Sequence, residues 1–330
     1  MPENKFHTVD ISGKSFLVTG GAGFIGSHVT EYLLRHNAHL VRVLDNLSTG
    51  FEKNMEGFKS NPRFEFFHGD ISNYNDCVKA CAGIDFVSHQ AALGSVPRSI
   101  EHPLNTHLAN CTGFVNMLVA TRDARVKNFV YASSSSVYGD EPSLPKKETK
   151  IGSPLSPYAV TKLTNELYAA NFSRVYGMNT IGLRYFNIFG PGQSPEGQYA
   201  AAIPLFLHAM FSDGEIFIDG DGSQTRDFTF IDNAVQANIK ALFTANAGCS
   251  GRVFNIAAGK NISVMQLFNM LKEITGYKKL PSHRPPRKGD VKDSLADISL
   301  AEKYFGFKPL VSVEEGLRIT ADYFKENLRS

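Results

Sequence analysis

Gly20-Gly21-Ala22-Gly23-Phe24-Ile25-Gly26 is the stretch of this 330-residue chain that decides its fold. It follows the apolar run 15–18 and opens the amphipathic stretch 24–35. Closely spaced glycines let a backbone turn sharply and approach a ligand, and the N-terminus of the helix that follows attracts negative charge. The pattern therefore predicts a strand, a tight turn and a helix whose first turn binds a pyrophosphate. A tight turn that holds no ligand is the simpler alternative.

An acidic residue after the second apolar run indicates which dinucleotide such a turn would hold. Asp45 ends the run 40–45 and stands 19 residues after Gly26. A carboxylate there accepts hydrogen bonds from the ribose hydroxyls of adenosine and repels a 2′-phosphate, so it favours NAD over NADP. Arg42 argues the other way, because a guanidinium near this position can bind that phosphate. Asp70, after the third apolar run, either borders the adenine ring or caps the next helix.

Apolar runs and helical patterns alternate through the first half of the chain, which is typical of βαβ units. The predicted strands are 15–18, 40–45, 64–67, 85–88, 128–132 and 180–186, and the predicted helices are 24–35, 103–124 and 157–176. Crossovers between parallel strands are right-handed, so helices should cover both faces of the sheet. The fold class is therefore α/β, with a Rossmann-type doubly wound parallel sheet.

The sequence changes character after the turn-rich loop 190–197. The short predicted strands 215–219 and 252–256 mix with the predicted helices 264–275 and 313–327, and the basic, proline-containing segment 278–293 looks irregular. We expect residues 1–186 to form a dinucleotide-binding domain, to which segments around 226–258 return. Residues 187–330 would form a smaller mixed α/β lobe, with the ligand at the carboxyl ends of the strands.

Charge and cysteine content exclude several function classes. The formal net charge is +2, too balanced for nucleic acid to be the main partner. Cys77, Cys81, Cys111 and Cys249 form neither a Cys-x-x-Cys metal motif nor a disulfide framework, so we expect reduced thiols and no metal. No stretch approaches 18 apolar residues, and the N-terminus lacks the apolar core of a signal peptide. A soluble, cytoplasmic protein without membrane contact is expected.

A tyrosine and a lysine at helical spacing predict acid–base chemistry. Tyr158 and Lys162 stand four residues apart, so they share one helix face. A free phenol has a pKa near ~10, and a neighbouring ammonium lowers that pKa toward the range of a useful proton acceptor. Tyr304 and Lys308 repeat the spacing, but Gly306 between them predicts a helix end, so we regard that copy as incidental. A core aromatic is the alternative for Tyr158.

The run Ser133-Ser134-Ser135-Ser136 ends the predicted strand 128–132 on the same sheet edge as the glycine turn. A hydroxyl there can donate to a substrate oxygen while a tyrosine removes its proton. A polar turn without a catalytic role is the alternative for the serines. Taken with the glycine turn and the tyrosine–lysine pair, the run predicts an enzyme that oxidises or reduces an alcohol carbon.

In this order, the motifs resemble those of the extended short-chain dehydrogenase/reductases over essentially the whole chain. Within that family, His89-Gln90-Ala91-Ala92-Leu93-Gly94-Ser95-Val96 and the segment 183–191 resemble the fourth- and sixth-strand motifs of the UDP-hexose 4-epimerases. Arg226-Asp227-Phe228 and the segment 286–290 resemble their substrate-side motifs. The segment 94–99 looks like the branch that acts on UDP-N-acetylglucosamine.

The resemblance implies an NAD-dependent isomerase that inverts carbon 4 of a UDP-N-acetylhexosamine through a transient 4-keto sugar. Its catalytic residues would be Ser134, Tyr158 and Lys162, with a one-residue ambiguity in the serine run. The residues implied to hold NAD are Gly20, Gly23, Phe24, Ile25, Gly26, Asp45, Asn46, Asp70, Ile71, Ala91, Asn110, Tyr158, Lys162 and Tyr185. The residues implied to bind the UDP-sugar are Ser95, Ser134, Ser135, Ser136, Asn187, Arg226, Arg287, Asp290 and Ser294.

The sugar is the least determined part of the expectation. Ser294 stands where the glucose/galactose enzymes often carry a bulky aromatic, so a 2-acetamido group would have room. UDP-N-acetylhexosaminuronic acid is the second choice, because Arg98 or a nearby basic group could accept a carboxylate, and UDP-glucose/galactose is a further one. A dehydratase or decarboxylase would need acidic residues where Ser135 and Ser136 stand. A non-catalytic nucleotide-sugar-binding protein is the rival from another class.

The resemblance also implies a homodimer formed through a four-helix contact. The helices involved would be those predicted at 103–124 and 157–176.

Overall fold

The computed structural model describes residues 5–196, 201–285 and 292–327. The strands of the described residues are β1 (Ser15–Thr19), β2 (Leu40–Asp45), β3 (Phe64–His68), β4 (Phe86–His89), β5 (Asn128–Ser134), β6 (Thr180–Tyr185), β7 (Ile188–Phe189), β8 (Phe217–Asp219), β9 (Thr225–Arg226), β10 (Thr229–Phe230), β11 (Arg252–Ile256), β12 (Ile262–Ser263) and β13 (Ser282–Arg284). A seven-stranded, fully parallel sheet lies at the centre, in the order β11-β6-β5-β4-β1-β2-β3.

The helices cover both faces of this sheet. They are α1 (Phe24–Arg35), α2 (Tyr74–Cys81), α3 (Val96–Glu101), α4 (Pro103–His107), α5 (Gly113–Asp123), α6 (Pro157–Tyr176), α7 (Ala202–Phe211), α8 (Ile231–Phe243), α9 (Val264–Thr275), α10 (Ser299–Phe305) and α11 (Val313–Asn327). Strand β1 shows the layering, since Phe16 and Val18 enter the core beneath α1 and α8, whereas Leu17 enters the core beneath α2 and α5. This arrangement confirms the doubly wound α/β prediction.

The strand order reverses between β1 and β4, which are neighbours in the sheet. From β1 the chain proceeds through β2 and β3 to one edge, and from β4 it proceeds through β5 and β6 toward the other. At such a reversal the loops after the two strands diverge and leave a crevice at their carboxyl ends. The glycine turn follows β1 at this crevice.

Beyond β6 the chain forms smaller elements and then returns to the sheet. Strand β11 pairs with β6, register Asn255 to Arg184, while β7 pairs with β10, β9 with β12 and β8 with β13. Helices α7, α9 and α11 pack on one another beside these short pairs. The division into two domains at residue 186 stays a prediction. None of the helices in the described ranges is long and apolar enough to cross a membrane.

The structure differs from the sequence prediction at several boundaries. The helix predicted over 103–124 consists of α4, a π-helical turn at Leu108–Thr112 and α5. The π-turn puts the amide of Asn110 against the main chain of Leu93, where it accepts from N at 2.8 Å and donates to O at 3.2 Å. This bonding offsets the wider turn. Strand β4 begins one residue later than predicted, β8 begins at Phe217, and β13 lies inside the segment predicted to be irregular.

Candidate active site

The glycine turn between β1 and α1 leaves no room for side chains. Gly20 has φ +69, and a Cβ there would lie 2.6 Å from the main-chain nitrogen of Ala91. A Cβ on Gly26 would overlap the main chain of Gly20, and the N–H of Gly23 donates to the carbonyl of Gly20 at 3.0 Å. The turn is thus a bare main-chain cradle at a helix N-terminus, the arrangement that receives a pyrophosphate.

Asp45 is held in place beside this cradle. One carboxylate oxygen accepts from the N–H of Ala22 at 3.0 Å and the other from the N–H of Leu47 at 2.8 Å. Burial raises the pKa of Asp45, and these N–H donors oppose the shift. Arg42 points elsewhere: its guanidinium donates to the carbonyls of Ala80 and Ala82, both at 2.8 Å. The geometry thus supports a ribose site at Asp45 rather than a 2′-phosphate site at Arg42.

A first cavity of about 310 Å³ extends from the cradle past Asp45. Seven of the residues predicted to hold NAD line it, namely Gly20, Gly23, Asp45, Asn46, Asp70, Ile71 and Ala91. Asp70 accepts from the amide of Asn46 at 2.8 Å and from the N–H of Ser72 at 2.7 Å, so it fixes the cavity wall rather than capping a helix. The cap of α2 is Asn73. A cradle for phosphate and a carboxylate for ribose on one cavity wall fit a dinucleotide.

Seven residues predicted to hold NAD do not line this cavity, namely Phe24, Ile25, Gly26, Asn110, Tyr158, Lys162 and Tyr185. Phe24 and Ile25 pack against the core from the first turn of α1. Asn110 bonds Leu93 and donates to the hydroxyl of Thr161 at 3.1 Å. The hydroxyl of Tyr185 donates to the side-chain oxygen of Gln90 at 3.2 Å, and Gln90 lines the cavity. Asn110 and Tyr185 therefore position wall residues of the cavity.

A second cavity of about 530 Å³ lies next along the carboxyl edge of the sheet. It brings together most of the predicted catalytic and substrate residues: Ser95, Ser134, Ser135, Ser136, Tyr158, Asn187, Arg226 and Ser294. A third cavity of about 370 Å³ shares Ser95, Asn187 and Arg226 with it and continues toward Phe217 and Gln193. Arg287 and Asp290, also predicted to bind the substrate, lie outside the described residues.

Helix α6 presents Tyr158 to the second cavity. The hydroxyl of Ser156 accepts from the N–H of Ala159 at 3.2 Å and caps the helix, and Pro157 occupies its first turn. Tyr158 therefore lies in the first turn of α6, and Lys162 lies one turn later in the same helix. Nζ of Lys162 donates to the carbonyl of Ala132 in β5 at 2.8 Å and lies 5.9 Å from the centre of the Tyr158 ring.

Burial dominates the ionisation of this pair. It raises the pKa of Tyr158, although a hydrogen bond with Ser134 acts in the opposite direction. It also lowers the pKa of Lys162 to about 8, against the opposing effects of Cys111 and Glu166. The sequence-based expectation that Lys162 pulls the phenol pKa down is therefore wrong for the protein by itself, because both groups lose their hydration. Further positive charge or hydrogen bonding at the phenol oxygen is needed to stabilise the ionised form of Tyr158.

The side chains of Ser133 and Ser134 point to opposite faces of β5. Ser133 points away from the cavity and donates to Glu166 Oε1 at 2.5 Å. Ser134, the last residue of β5, lines the cavity, bonds Tyr158 and accepts from the N–H of Ser136 at 3.1 Å. The geometry therefore favours Ser134 as the serine that works beside Tyr158.

Sequence reasoning missed an ion pair behind the site. Arg184 of β6 donates to Glu166 of α6 through Nε at 2.9 Å and through Nη2 at 2.8 Å. Both side chains are buried, and Ser133 shares the same carboxylate. An arginine within an otherwise apolar strand is the signal that could have revealed it. Lys146 and Asp293 also line the second cavity, and no periodic pattern marks them.

Within the described ranges, no cluster of three or more His, Cys, Asp or Glu side chains could hold a metal ion. All four cysteines are buried and free of disulfide bonds.

Known proteins of the same fold resemble this chain along nearly its whole length. The chain is 38% identical to the UDP-glucose 4-epimerase of Thermotoga maritima solved with UDP-glucose, covering 95% of this chain and 99% of that one at a TM-score of 0.89. It is 36% identical to the UDP-N-acetylglucosamine 4-epimerase of Methanobrevibacter ruminantium solved with UDP-N-acetylmuramic acid, covering 96% and 99% at a TM-score of 0.90. The UDP-glucuronate 4-epimerase of Thermodesulfobacterium geofontis is 35% identical over 321 residues, 95% of this chain and 97% of the relative.

The family model described as the NAD dependent epimerase/dehydratase family matches residues 16–257. The matched segment contains the glycine turn, Asp45, Ser134, Tyr158 and Lys162. On this match and on the relatives above, the chain belongs to the NAD-dependent epimerase/dehydratase family.

Proposed function

We propose that this protein is a UDP-sugar 4-epimerase that converts UDP-N-acetylglucosamine to UDP-N-acetylgalactosamine. The observation that carries the proposal is the second cavity, where Ser134 and Tyr158 meet a chamber that continues past Arg226 into the third cavity. A nucleotide-linked sugar needs such a shape, with the reacting ring at one end and the nucleotide at the other. The relatives that act on UDP-sugars support the same reaction class.

NAD, when bound, supplies a hydride acceptor and donor beside the sugar. The main chain at Gly20 and Gly23 would hold its pyrophosphate, Asp45 its adenosine ribose, and Asn46, Asp70, Ile71 and Ala91 the remaining wall of the first cavity. The bare main-chain cradle and the carboxylate 19 residues beyond Gly26 are the features that fit this group.

The side chains of the second cavity would handle the proton. Ser134 holds the hydroxyl oxygen at carbon 4 of the sugar, and Tyr158 takes the proton from that hydroxyl as the carbon is oxidised to a ketone. After the sugar has rotated, carbon 4 would regain a hydride on its opposite face, and Tyr158 would return the proton to the carbonyl oxygen. Arg226 holds the diphosphate throughout, so the nucleotide end stays anchored while the ring moves.

Ser294 supports the choice of an acetylated sugar. It is buried on the wall of the second cavity, and its small side chain leaves space that a tyrosine would fill. The test compares turnover of UDP-N-acetylglucosamine, UDP-glucose and UDP-N-acetylglucosaminuronic acid, with products identified by NMR. Ser294→Tyr should lose the acetylated substrates and keep UDP-glucose, whereas Ser294→Ala should keep both. Turnover of no UDP-sugar, with NAD present, would overturn the proposal.

A UDP-N-acetylhexosaminuronic acid is the second candidate substrate. Arg98 does not line the second cavity, but Lys146 does, and its side chain is buried there with Nζ donating to the carbonyl of Glu141. An ammonium at the sugar end favours a carboxylate on the ring. Lys146→Met would then reduce turnover of the uronic acid more than that of the neutral sugar.

Dehydration is the less supported reaction of this family for the chain. Ser135 and Ser136 occupy the cavity wall beside Ser134, so neutral hydroxyls stand where a dehydratase needs acids. Asp293 on the opposite wall already accepts from the hydroxyl of Thr225 at 2.9 Å. NMR of the reaction mixture would reveal a 4-keto-6-deoxy sugar if this reading were correct.

We also propose that the protein works as a homodimer in the cytoplasm. Helices α3, α4 and α6 pack together and leave apolar side chains exposed, including Leu104 at 78% and Leu167 at 65%. A second copy would cover this face. Leu104→Glu should halve the mass measured by sedimentation, whereas Leu280→Glu, equally exposed but beyond these helices, should not. Four buried free thiols suit a reducing compartment.

A further inference from the structure

One wall of the second cavity is an extended segment, residues 292–297, here called the strap. It contributes Asp293 and Ser294 to the cavity lining. On one side Thr225 holds it, since the N–H of Thr225 donates to the carbonyl of Lys292 at 3.0 Å and the N–H of Ser294 donates to the carbonyl of Thr225 at 3.2 Å. On the other side the strap bonds the main chain of Lys146.

Asp227 ties the strap to two further parts of the site. Its carboxylate is fully buried and accepts from the N–H of Ala258 at 2.9 Å, of Gly259 at 3.2 Å and of Ala296 at 3.2 Å. Ala258 and Gly259 follow β11, whereas Ala296 belongs to the strap. The carbonyl of Asp227 also accepts from the amide of Asn187 at 3.3 Å. One residue thus joins the chain segments that carry Asn187, Arg226 and Ser294.

The choice of a carboxylate at this position has a chemical reason. The partners of the side chain are all main-chain N–H donors, with Lys260 as a further one, and a carboxylate offers two acceptor oxygens with no donor of its own. An asparagine would turn its NH₂ group toward at least one N–H and lose that bond. The arrangement carries a cost, because burial raises the pKa of Asp227 to about 7 although the N–H donors oppose the shift. A residue that only held two chain segments together could use a neutral side chain, as Asn233 of α8 does with Leu310 and Val311.

We propose that Asp227 is a positioning residue for substrate binding: its carboxylate fixes the strap against Arg226 and thereby sets the affinity for the UDP-sugar. Its action is on binding and not on the proton transfer at Tyr158, which stands on α6 across the cavity. The inference rests on the proposed function in one respect, that the second and third cavities hold the UDP-sugar.

The test is Asp227→Asn in the full-length protein loaded with NAD. We expect KM for the UDP-sugar, and Kd for UDP measured by calorimetry, to rise about 10- to 100-fold. We expect kcat to change less than about threefold, and the amount of NAD retained on purification to match the wild type. Thr225→Val, which removes the hydroxyl's bonds to Asp293 and Asn261 and keeps the side-chain volume, should raise both constants about three- to tenfold.

Asn233→Ala is the matched control. Asn233 is fully buried in α8, and its side chain accepts from the N–H of Leu310 and Val311 and donates to the carbonyl of Val311. Its loss should lower the free energy of unfolding while leaving KM and the UDP affinity unchanged. Equal increases in Asn233→Ala and Asp227→Asn would attribute the effect to general loosening and overturn the proposal.

Two further outcomes of these measurements distinguish a failure of the positioning role from a failure of the proposed function. Unchanged UDP affinity in Asp227→Asn, or in Thr225→Val should the first variant fail to fold, overturns the positioning role. If the wild type binds UDP but inverts no sugar, the proposed function fails, and the calorimetric comparison still tests Asp227.

Discussion

Lys162 lies one helical turn after Tyr158, with Nζ 5.9 Å from the centre of the phenol ring and bonded to the carbonyl of Ala132 at 2.8 Å. Burial raises the pKa of Tyr158 and lowers that of Lys162 to about 8, so it drives both groups toward their neutral forms. In the proposed reaction, ionisation of Tyr158 would therefore rely on its hydrogen bond with Ser134 and on positive charge from the bound cofactor.

Tyr158→Phe tests this relationship directly. Removing the phenol oxygen should lower kcat about 10²- to 10⁴-fold, the range that a positioned acid–base group contributes. Retained NAD, measured after denaturation, and UDP affinity should stay at wild-type values, because the ring still fills its place. Tyr304→Phe is the control, since Tyr304 belongs to the second Tyr-x-x-x-Lys copy in α10. Full activity in Tyr158→Phe would rule out the assigned role.

Asp45→Asn should weaken NAD binding. The amide would replace one of the oxygens that accept from Ala22 and Leu47, and it would lose the charge that favours ribose hydroxyls. We expect retained NAD to fall about tenfold or more, with no gain for NADP because Arg42 is bonded to Ala80 and Ala82.

The control for that variant is Asp85→Asn. Asp85 accepts from the N–H of Ser15, at the end of β1 opposite to the glycine turn. This substitution therefore alters a similar hydrogen bond far from the first cavity. Nucleotide content that falls equally in the two variants would refute a specific ribose contact.

Glu166→Gln should be strongly destabilising. It removes the carboxylate that the buried Arg184 guanidinium contacts directly, and breaking such a buried pair typically costs about 3–5 kcal/mol in the free energy of unfolding. Denaturant titration with saturating NAD measures this change. Glu302→Gln, which breaks the exposed pair with Lys308, should cost less than about 1 kcal/mol. Similar losses from both variants would contradict the role given to burial.

Acid should destabilise the fold through His89. This ring is buried between Phe114 and Phe129 and bonds the hydroxyl of Thr19, and burial lowers its pKa to about 3. In the unfolded chain the imidazole of His89 binds a proton with a pKa near ~6.5, whereas in the folded protein the buried ring stays neutral at that pH. The free energy of unfolding therefore falls as the pH drops through this value. Between pH 7 and 5 the expected loss is about 2 kcal/mol.

The measurement compares urea titrations at those two pH values for wild type and His89→Asn. The variant keeps a polar partner for Thr19 but has no ionisable ring, so its pH dependence should be smaller by about that amount. An unchanged difference between the two pH values would show that other groups carry the acid sensitivity.

Local patterns predicted the elements that depend on neighbours in sequence. Helix α6 was predicted at its observed bounds, because Pro157 marks its first turn and Gly177 its end. The glycine turn and Asp45 could likewise be located, since a strand, a turn and a helix follow one another there without interruption. These same features gave most of the candidate site.

Contacts between distant segments account for what the sequence missed. Within the π-helical turn Asn110 bonds the main chain of Leu93, and the ion pair of Arg184 and Glu166 joins β6 to α6. Lys146 enters the cavity through a loop whose path is set by the strap. The raised pKa of Tyr158 also depended on how deeply the fold buries the ring, which spacing alone does not reveal.

The strap has a consequence for how such proteins diversify. It forms its own stretch of cavity wall, and its ties run to Thr225, Asp227 and Lys146 rather than to α6 or β5. We therefore expect a different sequence at positions 292–297 to reshape the cavity wall beside Ser294 while Ser134 and Tyr158 keep their places on β5 and α6.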